Sequence, residues 1–263
     1  YRLLGSHYNA NSLGIAYVAA ALNQNGHDAW LYNANFVNRA VYAKLGGLFQ
    51  GFSDYTEFFK NESHAIWEET CERISEFDPD WVGYTSYTAN VGAIDIISKK
   101  LRQQKPNVKQ VIGGVHATLD HQILDKLSAI DFSIRREGEF AMLALVNGED
   151  PQAIQGVVSR GRQGIVNSGD ADAIRDVDSL AFPERNKFWG LSEAEKKMVD
   201  VSYICSIRGC PYRCNYCASP FHWKRDKTQY RSPESVISEM RYVKEKYWDT
   251  EKEFDYSASA NVQ

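Results

Sequence analysis

Over about the first 140 residues the chain alternates short apolar runs with longer amphipathic ones, and this alternation restricts the fold more than any other feature. Strand-length runs separated by helix-length runs describe βαβ crossovers, which build parallel sheets. The strand candidates are YRLLG (1–5), DAWLY (28–32), DWVGYTSY (80–87), KQVIGG (109–114) and DFSIR (131–135). Between them, Ser12 caps a helix through Leu13, Ala16, Ala20 and Leu22, which Gly26 ends at C′. A helix over 62–77 carries Ile66, Trp67, Cys71, Ile74 and Phe77 on one face. Others are expected over 91–104, 119–129 and 138–147, with a short one over Val41–Phe49 inside an irregular aromatic stretch. The pattern predicts an α/β fold with a doubly wound parallel sheet.

A different organisation follows. GVVSRGRQGIVNSG (156–169) reads as a small β-hairpin with a glycine-containing turn. Residues 150–198 form a connector that includes it, so the expected domains are 1–149, the connector, and 199–263. VSYICSI (201–207) alternates as a strand, and a loop with three cysteines follows it directly. Ser232 then caps a helix with Pro233 at its first position and Val236, Ile237, Met240, Val243 and Tyr247 on its apolar face. EFDY (253–256) opens a further strand, so this part reads as the first βα unit of a barrel. The chain opens on the second half of a strand without Met and stops within the barrel, so it is expected to be a fragment and inactive by itself.

The loop RGCPYRCNYC (208–217) places Cys210, Cys214 and Cys217 in a Cys-x3-Cys-x2-Cys pattern. No signal-peptide pattern opens the chain, and no apolar run reaches the ~18 residues of a membrane span. That places the protein in the cytoplasm, where clustered thiols more often bind metal than pair. A disulfide would strand one thiol. A structural zinc site needs four ligands, and the nearest candidate fourth is Cys205. Three cysteines on a four-iron cluster would leave one iron open to a small molecule. The iron–sulfur reading leads, with zinc or no metal as the alternatives. A net charge of −4 gives no basic field for nucleic acid.

With Tyr216 before its third cysteine and an apolar strand ahead of it, the loop resembles that of the radical S-adenosylmethionine enzymes. ASPFHWKRDKTQYRSPESVISEM (218–240) resembles their cobalamin-dependent branch, class B. The resemblance implies that Cys210, Cys214 and Cys217 ligate a 4Fe–4S cluster whose open iron chelates S-adenosylmethionine, and that one electron then releases a 5′-deoxyadenosyl radical. It also implies a reducing partner such as a flavodoxin or ferredoxin.

The N-terminal half resembles the Rossmann-like cobalamin-binding domain of the same branch. YTSYTAN (84–90), VIGGVHATLDH (111–121) and RREGEFAML (135–143) follow parallel strands at their carboxyl ends, where such folds bind ligands. The cobalamin contacts so implied are Ser86, Tyr87, Thr88, Gly113, Gly114, His116, Thr118, Glu137, Gly138 and Glu139. Gly114 is expected to keep the ligand's approach clear. SLGIAYVAAALNQNGHDAWLYN (12–33) and the linker-like DSLAFPERNKF resemble the same branch. Cobalamin domains of the methionine-synthase type carry Asp-x-His-x-x-Gly after the first strand. With His7 in register, Gly5 and Ala10 stand where Asp and Gly should be, so no cobalt ligand is expected from that loop.

Blander readings stand beside these. Gly113 and Gly114 could form a simple turn, His116 a solvated loop residue, and Glu137 and Glu139 charges at a helix N-terminus. Cys71 is expected in the core, and Cys205 packed near the cluster without ligating it. The resemblance implies methylation of an unactivated carbon, the adenosyl radical removing a hydrogen and methylcobalamin supplying the methyl group. The alternatives are a radical cyclase of tetrapyrrole-like substrates and a non-catalytic cobalamin or cluster carrier. Methylthiotransferases need three more cysteines in the N-terminal domain, which offers only Cys71.

Overall fold

A computed structural model describes residues 11–34, 36, 56–57, 60–162, 164–199, 201–219 and 228–247. The expected strand at 1–5, His7, the helix at Val41–Phe49 and the strand at 253–256 lie outside the described residues. The described residues fall into two compact units, 32–173 and 11–31 with 174–247. Among them no helix is long and apolar enough to cross a membrane.

The 32–173 unit is built on a five-stranded, mostly parallel sheet. Strands β1 (Trp81–Thr85), β2 (Lys109–Gly113) and β3 (Phe132–Ile134) run parallel, with Thr85 opposite Gly113 and Val111 opposite Phe132. The hairpin β4 (Val157–Gly161) and β5 (Gly164–Asn167) continues this sheet as its antiparallel edge, Ile134 facing Val157. The helix over Val91–Gln104, whose bounds match the expectation, contributes to two apolar clusters. Its Ile94 meets Ile112, Ile123, Leu124, Leu127, Ile130 and Val158. Its Ile96, Ile97 and Leu101 meet Trp67, Cys71 and Ile74 of the helix Ala65–Phe77. Cys71 is therefore a core residue, as expected, and burial pushes its thiol up to about 11. Gln110 is fully buried in β2, and its side chain bonds the Tyr84 hydroxyl (2.7 Å) and the Ser98 carbonyl (3.1 Å).

Several expected elements differ. Residues 28–32 form no strand beyond an isolated bridge between Leu31 and Phe188. The segment is spent on loop contacts instead. Asn23 accepts from Ala29 N–H (2.8 Å), and Asp28 pairs with Lys187 (2.5 Å). The helix expected over 119–129 is two short ones, Val115–Leu119 and Ile123–Lys126. The Asp120 carboxylate accepts from Gln122 N–H (3.1 Å), a turn that competes with continued helix.

In the second unit, the helix Leu13–Gln24 buries Ala16, Tyr17, Ala19 and Ala20 and ends before Gly26 at φ +86. Ser12 stands at its N-cap, but its side chain makes no capping bond. The expected strand 201–207 shrinks to β6 (Ile207–Arg208), antiparallel to β7 (Gln229–Tyr230). Carbonyls upstream of β6 are bonded by arginine side chains in place of a strand. The last described helix, Pro233–Tyr247, is capped as expected, Ser232 Oγ accepting from Ser235 N–H (3.1 Å). Its buried line runs through Glu239 and Val243, whereas Ile237 and Met240 are exposed. The expected apolar face is thus displaced around the helix, because Glu239 is drawn inward by two arginines.

Candidate functional sites

The carboxyl ends of β1, β2 and β3 are joined by one hydrogen-bond network. Ser86, just past β1, donates from Oγ and from N–H to the Gly113 carbonyl (2.7 and 2.8 Å). The same Oγ accepts from Ala117 N–H (3.1 Å), and the Ser86 carbonyl accepts from His116 N–H (3.0 Å). Thr118 Oγ1 donates to the Gly114 carbonyl (3.0 Å) and accepts from Arg136 N–H (2.8 Å), which carries the network to the end of β3. Ser86 and Thr118 are buried, so their hydroxyls serve the fold.

Gly114 has a packing role beside the one expected. Its φ is +94, and a Cβ there would lie 2.8 and 2.9 Å from the Ser86 backbone N and O. The space a side chain would need is filled by the chain itself, so the close approach of the segments after β1 and β2 demands glycine here. Gly113 is ordinary, its nearest atom being the Ile134 carbonyl at 3.7 Å.

Tyr87, Thr88 and His116 lie outward of this network. Thr88 Oγ1 and His116 Nδ1 are 3.0 Å apart, and His116 Nε2 lies 3.6 Å from the Asp120 carboxylate. Only the Nδ1 contact is within hydrogen-bond range. Lys126 also pairs with Asp120 (2.6 Å), and its hydrogen bond helps hold that carboxyl below the usual range against the effect of burial. Gly138 stands at the N-cap of the helix Glu139–Val146, and Glu137 and Glu139 are both buried. Glu139 thus lies in the first turn of that helix, as the blander reading had it, though buried.

Sequence reasoning missed two features of this end. Arg135 and Arg136 both pair with Asp170, each at 2.8 Å, and Arg135 also lies 3.1 Å from His121 Nε2. Arg136 has φ +69, an uncommon conformation for a side-chain-bearing residue, and Thr118 and Asp170 hold it there. The adjacent arginines were visible in the sequence, but nothing local marks Asp170 as their partner. Asp170→Asn is expected to cost about 2 kcal/mol, between the values for an exposed and a fully buried pair because Asp170 is partly exposed. Urea denaturation checks this, and an unchanged midpoint would show the pairs to be energetically silent. The second is an apolar group of which only Tyr87 was expected. Tyr87, Leu119 and Phe140 follow the ends of β1, β2 and β3 and are 54%, 40% and 55% exposed.

The cysteine loop starts at Gly209 with φ +94. Cys214 is exposed, Cys210 and Cys217 are half-buried, and all three are free thiols. Two hydrogen bonds shape its end, Cys217 N–H to the Cys214 carbonyl (3.1 Å) and Ser219 N–H to Cys217 Sγ (3.4 Å). The convergence expected from the spacing is not seen. Among the described residues no three His, Cys, Asp or Glu side chains are placed to hold one metal ion. Among the described residues these two hydrogen bonds span 214–219 and do not involve Cys210. Cys205 is half-buried, donates from Sγ to the Ile207 carbonyl (3.2 Å), and has its pKa raised by burial.

The described residues thus combine a unit built on a mostly parallel α/β sheet with a second unit that bears the cysteine loop. Residues 4–146 match the B12 binding domain family, which is more than half of the chain, and the chain belongs to that family. Among curated relatives, the anaerobic magnesium-protoporphyrin IX monomethyl ester cyclase of Cereibacter sphaeroides is 28% identical over 203 residues, covering 72% of this chain and 32% of that protein. The enzyme of the same name from Rubrivivax gelatinosus is 27% identical over 256 residues, 92% of this chain and 42% of that one. An uncharacterized methyltransferase of Pyrococcus horikoshii is 27% identical over 186 residues, 69% of this chain and 40% of that one. The chain thus spans between 32% and 42% of the length of these relatives. Among solved structures, the radical S-adenosylmethionine methyltransferase TsrM from Kitasatospora setae, with cobalamin and a 4Fe–4S cluster bound, shares the fold. Its TM-score is 0.61 at 16% identity, over 89% of this chain and 43% of that one.

Proposed function

We propose that the chain is the cobalamin- and cluster-bearing part of a radical S-adenosylmethionine enzyme that methylates an unactivated carbon. The observation that carries this reading is the joining, in one chain, of a B12 binding domain to a loop of three free thiols in Cys-x3-Cys-x2-Cys spacing. The donor set suits a cluster, because soft thiolates bind iron–sulfur clusters and Ser219 N–H already donates to one of the sulfurs. Cys210, Cys214 and Cys217 would hold the cluster, which supplies the electron that cleaves S-adenosylmethionine. A flavodoxin or ferredoxin would reduce it.

On the cobalamin side, Tyr87, Leu119 and Phe140 offer apolar contact to a flat macrocycle, with Thr88 and His116 beside Tyr87 in sequence and hydrogen bonding. Ser86, Gly114 and Thr118 hold the loops that present them. The Thr88 contact at Nδ1 steadies the His116 imidazole, which would serve as a polar contact to the ligand.

Hydroxocobalamin titration tests the placement. Tyr87→Ala and Phe140→Ala are each expected to weaken binding by about tenfold, the effect of losing one buried aromatic contact. An unaltered titration for both would remove the ligand from this face.

A second reading, radical cyclisation, is favoured by sequence, since the cyclase from Rubrivivax gelatinosus matches over 92% of this chain. Assays on the protein that carries this chain separate the two. Supplied with S-adenosylmethionine deuterated in its methyl group, a methyltransferase carries the label into product. Cyclisation of magnesium-protoporphyrin IX monomethyl ester without label transfer would establish the second reading instead.

A further inference from the structure

Residues 201–206, which lead into the cysteine loop, belong to no strand, yet the carbonyls of 201, 203, 205 and 206 are bonded. Arg185 donates from Nε to the Val201 carbonyl and from Nη2 to the Tyr203 carbonyl, both at 2.9 Å. Arg231 donates from Nη1 to the Cys205 carbonyl (3.2 Å) and from its backbone N–H to the Ser206 carbonyl (3.0 Å). Two guanidinium groups thus take the alternate carbonyls 201, 203 and 205, which a neighbouring strand would otherwise occupy.

Both guanidinium groups converge on one carboxylate. Glu239 accepts from Arg185 at Oε1 (2.5 Å) and from Arg231 at Oε2. The Arg185 and Glu239 side chains are fully buried. Arg231 also bonds Ser235 Oγ and the Ser235 carbonyl, and Arg185 bonds the Pro183 carbonyl. One acid therefore ties the segment to three other places in its unit. A buried ion triad is a poor way to gain stability, since apolar residues of equal volume often do as well. Apolar residues, however, could not satisfy the three carbonyls. The arrangement is better explained by what it holds in place.

We propose that Glu239 is a positioning residue, locking Arg185 and Arg231 into a clamp along 201–205 that fixes the base from which the Gly209–Cys217 loop projects. The consequence for a cluster rests on reading that loop as the cluster loop, whereas the clamp itself does not.

Alkylation of Cys205 tests the clamp on the intact chain without a cofactor. Trypsin releases residues 198–208 as a peptide in which Cys205 is the only cysteine, so its iodoacetamide labelling can be followed alone. Glu239→Gln is expected to speed Cys205 labelling about tenfold by local opening, while buried Cys71 in the other unit stays slow. Loss of the Glu239 charge alone would also make Cys205 more acidic, so Arg231→Lys serves as the charge-preserving arm. A lysine cannot reach Glu239 and the Cys205 carbonyl together, and a rise of about threefold is expected there. A rise in Glu239→Gln with none in Arg231→Lys would mean charge and not geometry, and would overturn the proposal. So would unchanged labelling in both. If Cys71 reacts in step with Cys205, Glu239→Gln has unfolded and Arg231→Lys alone decides.

Anaerobic iron reconstitution adds a second readout. Glu239→Gln is expected to take up less than half the wild-type iron or to show a shifted electron paramagnetic resonance spectrum. An identical spectrum and full iron, with loosened Cys205, would reduce the triad to a brace and overturn the positioning role. Wild-type protein that takes up no iron would instead refute the cluster reading, leaving the labelling result to judge the clamp.

Discussion

Gly114→Ala is expected to lower the stability of the 32–173 unit by about 4 kcal/mol. Two costs add. At φ +94 and ψ −171 the residue occupies a region that is nearly exclusive to glycine. A Cβ there would also meet Ser86 N at 2.8 Å and Ser86 O at 2.9 Å. Those atoms cannot retreat cheaply, since Ser86 N–H is bonded to the Gly113 carbonyl and the Ser86 carbonyl accepts from His116. Against a typical domain stability of roughly 5–15 kcal/mol, the change would bring the unit close to unfolding at ambient temperature. Gly113→Ala, one residue earlier, should cost less than about 1 kcal/mol, as its nearest neighbour lies in ordinary contact. Urea unfolding of the two variants side by side makes the comparison. Equal midpoints would mean that the segments after β1 and β2 yield to a side chain, and would remove the packing reason for glycine.

Loss of any one of the three loop thiols should abolish iron uptake. Wild-type protein reconstituted anaerobically is expected to bind about four irons per chain. Cys210→Ala, Cys214→Ala and Cys217→Ala should each bind close to none, because a three-thiolate cluster has no spare protein ligand. Cys205→Ala should retain the iron, since its sulfur bonds the Ile207 carbonyl and stands outside the loop. Cys71→Ala should retain it too, and reveal itself through about 1–2 kcal/mol of lost stability where a buried sulfur leaves a small void. Iron and zinc analysis of the five variants decides the matter. Stoichiometric zinc in place of iron, or iron surviving one of the three loop substitutions, would overturn the cluster assignment.

Much of the 32–173 unit was legible before its structure. Apolar spacing located the helix Val91–Gln104 to the residue and each of β1, β2 and β3 to within a residue or two, and it put Cys71 in the core. Local chemistry marked the cap made by Ser232 and Pro233 and the turn at Gly26. Where two expected strands failed, side chains from outside them had outweighed a local preference. Residues 28–32 look like a strand, but Asn23 and Lys187 hold them as a loop. Residues 201–206 alternate like a strand, but Arg185 and Arg231 occupy their carbonyls.

By itself, the sequence determined the α/β alternation and the three-cysteine loop, because periodic burial and ligand spacing are properties of neighbouring residues. Only the tertiary structure decided that Gly114 makes room for Ser86, that Asp170 neutralises Arg135 and Arg136, and that Glu239 turns inward from an expected apolar face. Each of these depends on a partner between 28 and 54 residues away. Periodicity tells which face of an element is buried. It carries no information about which atom of another segment will meet that face, and a buried charge is stable only once that atom is there.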